Sequence, residues 1–505
     1  MSVAGLHSAD RHVGSAVVPV PAMDPGDPGT ERLIEAQRAV TAALREVAPV
    51  ADELGRRFQQ AGHALHLVGG FVRDAVLGRR HPDIDLTTDA RPEEVLALTC
   101  DWAEATWDTG IAFGTIGLRK GEHRLEITTY RSEAYDRSSR NPQVSYGDSL
   151  PDDLSRRDFT VNAMAISLPD GAFVDPYGGL HDLLLGELRT PGRPQDSFAD
   201  DPLRMLRAAR FAASLGVRVA PEVVAAMGAM AGRLEIITPE RIAGELTRLL
   251  LAEAPRPGLE LLVDTGVADH FLPELPALRL AADPLHRHKD VYSHTLTVLD
   301  QSIELEDAGP DLTLRMAALL HDIGKPKTRS FEPGGGVSFH HHEVVGRDMA
   351  RARLLALRYP RLFVDDVARL VELHLRFHGY GTGAWTDSAV RRYVRDAGPL
   401  LGRLHKLVRS DCTTRNPRKA AALGRAYDAL ERRIELLAEA EDLASIRPDL
   451  DGNDVMAILG VPGGPVVGAA LRHLLALRME HGPLGREAAI AQLRRWAAER
   501  GHESG

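Results

Sequence analysis

At 505 residues, 44% hydrophobic and 26% charged, the chain has the composition of an ordinary multidomain protein that can bury several cores. Its two cysteines, Cys100 and Cys412, exclude a disulfide framework or a thiolate metal cluster. The absence of an 18-residue apolar run or a basic-then-apolar leader predicts no membrane span and a cytoplasmic location. A formal net charge of −10 disfavours a nucleic-acid partner only if basic residues are evenly spread, because phosphate binding depends on local charge.

Residues 1 to 30 have proline, glycine and aspartate in place of periodicity and read as a disordered tail. From 31 to 62, Leu33, Ala36, Val40 and Leu44 recur at helical spacing up to Gly62. Ala64 to Val68 then reads as a buried strand, Gly69-Gly70 as a turn, and Phe71 to Leu77 as a helix closed by Gly78. Such a turn lets phosphate approach bare backbone at a helix N-terminus, with Arg73 near enough for a bidentate contact. On the next strand Asp83 and Asp85 share one face, about 6.6 Å apart in Cα, while Ile84 and Leu86 face a core. Two such carboxylates suit Mg²⁺, up to a pair of ions roughly 3.5–4 Å apart.

The order GG-x-VRD, then DIDL nine residues on, resembles the nucleotidyltransferase fold of the DNA polymerase β superfamily. More narrowly it resembles the class II CCA tRNA nucleotidyltransferases and bacterial poly(A) polymerases.

After a helix opening at Arg91-Pro92, strand-like runs at 113–118 and 123–130 flank a Lys120-Gly121 hairpin turn. Glu126 lies on the second run; the resemblance implies a third carboxylate of an acidic triad, a surface glutamate being the alternative. Residues 131 to 155 are polar and aperiodic and read as a long mobile catalytic loop. RRDFTVNAMA from Arg156 and DPYGG from Asp175 match further motifs of the family, with Arg157 implied at phosphate or ribose.

In DDPLRMLRAARFAA, Asp201 and Pro202 suit N-cap and N1, followed by Arg204, Arg207 and Arg210 at three-residue intervals. A carboxylate can accept from the exocyclic amine of cytosine or adenine while an arginine donates to the neighbouring ring acceptor, so an Asp201/Arg204 pair would select amino-bearing bases without a template. The stretch resembles the family's base-selecting motif, with Asp200 where glutamate is commoner, and the resemblance puts Arg207 and Arg210 on nucleotide or primer. ITPERIAGELTRLL at 237–250, N-capped by Thr238, resembles the family's neck helix, with Glu240 and Arg241 supporting the pocket.

Nine of the 21 histidines fall between 286 and 378. His294, the adjacent His321-Asp322 pair at the end of an apolar helix, and Asp411 match the HD phosphohydrolase arrangement, an open site for a divalent transition metal. Lys325 lies near to meet phosphate. His342 and His374, with His378 as the alternative to His374, would furnish a second metal site. Residues 391–420 carry nine Lys/Arg against two acids, a positive stretch that would track tRNA phosphates.

The expected architecture is α+β: a polymerase-β-like head at 31–190, an all-α neck and body at 191–280, an HD domain at 281–420 and a helical tRNA-binding tail at 421–505. The implied activity is addition of C, C and A to the tRNA 3′ end from CTP and ATP, with pyrophosphate released. Gly69, Gly70, Arg73 and Arg157 would hold the nucleotide, and the HD part adds an expected phosphohydrolase activity. Alternatives are a poly(A) polymerase, a partial enzyme adding CC or A, and, from a different class, an HD phosphohydrolase with an RNA-binding head. The sequence specifies no oligomeric state.

Overall fold

A computed structural model describes residues 28–80, 83–111, 114–134, 143–147, 149–280, 290–332, 336–377, 385–414, 416–441 and 446–500. The chain divides into two compact units, 1–270 and 271–505. The tail expected at 1–30 lies outside the described residues except for 28–30, which already belong to the first helix.

The first unit opens with α1 (Pro28–Gln60), whose Val40, Leu54 and Phe58 are fully buried. It continues through β1 (Leu65–Val68), α2 (Gly70–Val76), β2 (Asp83–Thr88), α3 (Pro92–Thr99), β3 (Ala105–Trp107), β4 (Thr115–Lys120) and β5 (His123–Thr129). β6 (Arg131–Ala134), β7 (Gln143–Tyr146), α4 (Leu150–Ser155), β8 (Ala165–Leu168) and β9 (Phe173–Val174) follow. Seven strands form one sheet in the order β3-β4-β5-β2-β1-β8-β9, with only β2 and β5 parallel. Strict alternation explains the acid-bearing strand: Ile84 and Leu86 are 2% and 1% exposed on the core face, which places Asp83, Asp85 and Thr87 on the other.

The stretch 131–155 is not the aperiodic loop that its polarity predicts. Its described ends pair as the antiparallel β6–β7 hairpin, Arg131 opposite Tyr146, and α4 then begins at Leu150. Polar sequence hides such a ladder because backbone hydrogen bonds need no apolar side chains. Residues 135–142, the rest of the expected mobile loop, lie outside the described residues.

Helices and a short parallel strand pair, β10 (Glu187–Leu188) with β11 (Arg218–Val219), complete the unit: α5 (Gly179–Leu185), α6 (Pro194–Asp200), α7 (Arg204–Leu215), α8 (Pro221–Met230), α9 (Pro239–Leu250) and α10 (Arg256–Asp264). Thr238 and Pro239 stand at N-cap and N1 of α9 as expected. α7 starts two residues later than its capping signal predicts: Asp201 caps α6 and accepts from the Leu203 N–H, and the regular turns begin at Arg204.

The second unit is helical apart from one short hairpin: α11 (Val291–Glu304), α12 (Leu312–Leu320), α13 (Lys325–Thr328), α14 (His342–Ala356), α15 (Arg361–Leu373), α16 (Asp387–Ala397), α17 (Leu401–Ser410) and α18 (Pro417–Ala440). Leu314 and residues 316–320 of α12 are fully buried, so this helix is the centre of the fold here. α19 (Gly452–Leu459), α20 (Pro465–His481) and α21 (Arg486–Ala498) build a separate apolar cluster around Leu474, Leu493 and Trp496.

In the basic stretch 391–420, expected to track tRNA phosphates, five of the nine Lys/Arg pair, among the described residues, with acids outside it. Arg391 pairs with Glu441, Arg392 with Glu480, Arg403 with Asp311, Lys406 with Asp307, and Arg409 with Glu431 and Asp428. Those acids lie outside the stretch, which a local charge count cannot register, while Arg418 and Lys419 are exposed.

Candidate active site and metal centre

Gly69 sits at φ 69°, a conformation that costs an L-residue side chain, at the turn between β1 and α2. A Cβ there would lie 3.1 Å from Nη1 of Arg157 and 3.5 Å from Oδ2 of Asp85. The bare turn, the arginine and the acid of β2 therefore meet at one point. Parallel pairing puts Asp85 opposite Glu126 and Asp83 opposite Arg124, so three carboxylates lie on one face of two adjacent strands. Glu126 itself is 3.3 Å from Arg124 and 41% exposed.

Arg73 is placed differently from the expectation of a phosphate contact. It is 9% exposed, donating from Nε and Nη2 to Asp74 at 2.8 and 2.9 Å and from Nη1 to Asn162 at 2.7 Å, with its guanidinium 5.2 Å from the Phe211 ring centre. It braces the turn from behind.

Arg207 and Arg210 also depart from their expected place on nucleotide or primer. Arg207 donates from Nε to the buried Asp158 at 2.8 Å, and Arg210 donates to Glu245, 2% exposed, at 2.7 Å. A guanidinium this close to a buried carboxylate satisfies a charge that would otherwise be costly, so both arginines serve the fold around the site. Burial works to raise the Asp158 carboxyl, yet Arg207, with Asn162 and Arg204, holds it down at about 2.

Asp201 and Arg204, expected as a base-reading pair, are each engaged by third parties. Asp201 accepts from Arg241 at 2.7 Å, and Arg204 donates to Ser197 Oγ at 2.8 Å and to the Arg156 carbonyl. Arg241, expected to support the pocket, thus stands against the Asp201 carboxylate.

Sequence reasoning passed over two buried acids here, Glu245 and Asp153. Asp153 accepts from Arg156 at 2.8 Å, Arg157 at 3.2 Å, Thr87 at 3.3 Å and the Arg131 N–H at 3.4 Å. Burial pushes its carboxyl up, while Arg157 and then Arg156 hold it below the usual carboxylate range. Its spacing from Arg156 and Arg157, three and four residues, is a helical pairing signal that could have found it.

In the second unit, five elements bring imidazoles and carboxylates together. His294 comes from α11, His321 and Asp322 end α12, His342 opens α14, and His374 ends α15. Asp411 follows α17. His294 Nε2 lies 3.0 Å from Asp411 and 3.5 Å from Asp322, and Asp322 reaches His321 at 3.2 Å, His342 at 3.3 Å and Lys325 at 2.6 Å. Two groups, His294/His321/Asp411 and Asp322/His342/His374, each gather ligand atoms within 4.8 Å. His378 lies outside the described residues.

Nδ1 of His321, His342 and His374 lies 2.7–2.8 Å from the carbonyls of Ala318, Phe339 and Val371. Those bonds place the proton on Nδ1 and the lone pair on Nε2. Nε2 of His374 is buried without a hydrogen-bond partner and those of His321 and His342 face the Asp322 carboxylate, an arrangement that a metal ion would satisfy. Burial, then neighbouring His321, pushes His374 down to about 3, which keeps it neutral.

Residues 65–189 match the family described as "Poly A polymerase head domain", 216–278 "Probable RNA and SrmB- binding site of polymerase A", and 291–408 the HD domain. A CCA-adding enzyme of Levilactobacillus brevis is 39% identical over 52% of this chain and 66% of its own length. The A-adding tRNA nucleotidyltransferase of Deinococcus radiodurans is 34% identical over 86% of this chain and 95% of its own. Among solved structures, the Bacillus stearothermophilus CCA-adding enzyme in complex with CTP matches 91% of this chain and 98% of its own, with TM-score 0.65 and 25% identity. No helix among the described residues is long and apolar enough to cross a membrane. Head, RNA-binding segment and HD domain occur in order, and with them the chain belongs to the class II CCA tRNA nucleotidyltransferase and bacterial poly(A) polymerase family.

Proposed function

We propose that the chain adds C, C and A to the 3′ end of tRNA, taking CTP and then ATP and releasing pyrophosphate. The observation that carries this reading is the meeting of Gly69, Arg157 and Asp85 at one point, with Asp83 and Glu126 on the same sheet face. Asp83 and Asp85 would hold Mg²⁺, which lowers the pKa of the attacking hydroxyl and neutralises triphosphate charge. The primer's terminal 3′-oxygen bonds to the α-phosphorus as the bond to the bridging oxygen breaks, and the hydroxyl proton passes to solvent. Arg157 meets the triphosphate at the bare Gly69–Gly70 turn, and catalysis rests on positioning and charge stabilisation without a covalent enzyme intermediate.

Asp201, held by Arg241, accepts from the amine of cytosine or adenine, and Arg204 donates to the adjacent ring acceptor. This choice excludes guanine and uracil because their donors and acceptors are reversed there. The free thiols of Cys100 and Cys412 suit a reducing cytoplasm, where tRNA is met.

In the second unit His294, His321 and Asp411 would hold one divalent transition metal and Asp322, His342 and His374 a second. The metals would supply an activated water for phosphate-ester hydrolysis, with Lys325 meeting the phosphate. Asp83→Ala and Asp85→Ala test the assignment against an HD phosphohydrolase whose head only binds RNA. Each should lower nucleotide incorporation into tRNA by at least about a thousandfold while leaving metal content and any phosphatase activity of the second unit intact. Incorporation surviving in both variants would overturn the head's role.

A further inference from the structure

The fully buried Asp153 touches no expected substrate position, yet it joins three parts of the head. Its Oδ2 accepts from Thr87, two residues beyond Asp85 on β2, and from Nη2 of Arg157, whose Nη1 is the atom facing the Gly69 turn. Its Oδ1 accepts from the backbone N–H of Arg131, the first residue of β6, and from Arg156. One carboxylate thus ties the acid-bearing strand, the phosphate-facing arginine and the base of the β6–β7 hairpin.

The hairpin is seated on the same region by other contacts. Arg131 Nη2 donates to Thr115 at 3.1 Å, and the Tyr146 ring lies 4.9 Å from the Arg91 guanidinium. Gly114, at φ 72°, leaves the room that ring needs: a Cβ there would be 2.9 Å from Tyr146 Cε1. The base of the hairpin and the nucleotide turn are accordingly braced from one buried anion.

The geometry points to Asp153 as a positioning residue for nucleotide binding: it holds Arg157 with one guanidinium nitrogen turned to the Gly69 turn and fixes that arginine relative to β2 and the hairpin base. The inference rests on the nucleotidyltransferase reading of the same site. A free arginine side chain would have to be ordered when the triphosphate arrives, whereas one clamped by a buried carboxylate is already in place.

The test uses the full-length protein and measures CTP and ATP binding directly, without tRNA, alongside steady-state addition. Asp153→Asn, nearly isosteric, should weaken both nucleotides by about tenfold, the scale of one charge-assisted contact, and raise KM for nucleotide while leaving KM for tRNA unchanged. Arg157→Met should weaken binding by a similar factor, and the double variant should be no weaker than Arg157→Met alone. A purely structural role would lower thermal stability without this nucleotide-selective, non-additive pattern. Unchanged nucleotide affinity in Asp153→Asn, or additive losses, overturns the inference while leaving the transfer reading intact. Should Asp153→Asn not fold, Arg157→Met decides, because undiminished affinity there removes the group that Asp153 is said to position. Wild-type protein that binds nucleotide but adds none would defeat the transfer reading, and the binding comparison would still decide the role of Asp153.

Discussion

Arginine partners are the least local feature of this protein. Arg207 finds Asp158 across 49 residues and Arg210 finds Glu245 across 35, so a motif that looks like a cationic stripe in sequence is paired with distant buried acids. The Asp-x-Asp strand is the opposite case, legible because a period of two fixes which side chains share a face. Gly69 was legible as a turn, although its closeness to Arg157 needed the fold. Asp158 carries a prediction at this scale. Its folded pKa of about 2 lies below the ordinary 3.8, so its pairing with Arg207 stabilises the protein fully above pH 3.8 and loses that contribution as pH falls toward 2. The contribution is about 2 kcal/mol. Urea titrations at several pH values should show a steep acid-side loss in the wild type. Asp158→Asn should be less stable at neutral pH and should flatten that slope, and an unaltered slope would refute the assignment.

At the scale of elements, helices and strands with strong periodicity emerged where the sequence placed them. The hairpin at 131–146 did not, since polar strands carry no apolar alternation to read. The start of α7 shifted because Asp201 caps a turn that precedes the regular helix. Close packing between elements was invisible for a similar reason: it depends on what a missing side chain permits. A Cβ on Gly324, between α12 and α13, would lie 2.1 Å from the carbonyl oxygen of His342 and 2.8 Å from the Gly346 nitrogen. Gly324→Ala must therefore push back the first turn of α14, and His342 with it. Such overpacking costs about 1–3 kcal/mol. Metal analysis should show loss of the ion that Asp322, His342 and His374 would hold and retention of the one that His294, His321 and Asp411 would hold. Two ions per chain in the variant would contradict the geometry drawn for the second group.

For the whole molecule, the order of motifs made the family legible, from GG-x-VRD through RRDFT to the HD pair, because chemistry restricts residue types more tightly than packing does. Which acids partner the basic stretch 391–420 was not legible. Nor does family membership separate the full enzyme from its specialised forms, given a relative over 86% of the chain that is an A-adding enzyme. The proposed base readers Asp201 and Arg204, with Arg241 beside Asp201, would have to serve cytosine twice and adenine once. The most direct measurement is to incubate the purified protein with tRNA ending at the discriminator base, labelled CTP and ATP, and Mg²⁺, and to size the products at single-nucleotide resolution. Three added residues, two from CTP and then one from ATP, are the predicted result. An ATP-only ladder, a stop after C and C, or addition of A only to tRNA already ending in CC would contradict it.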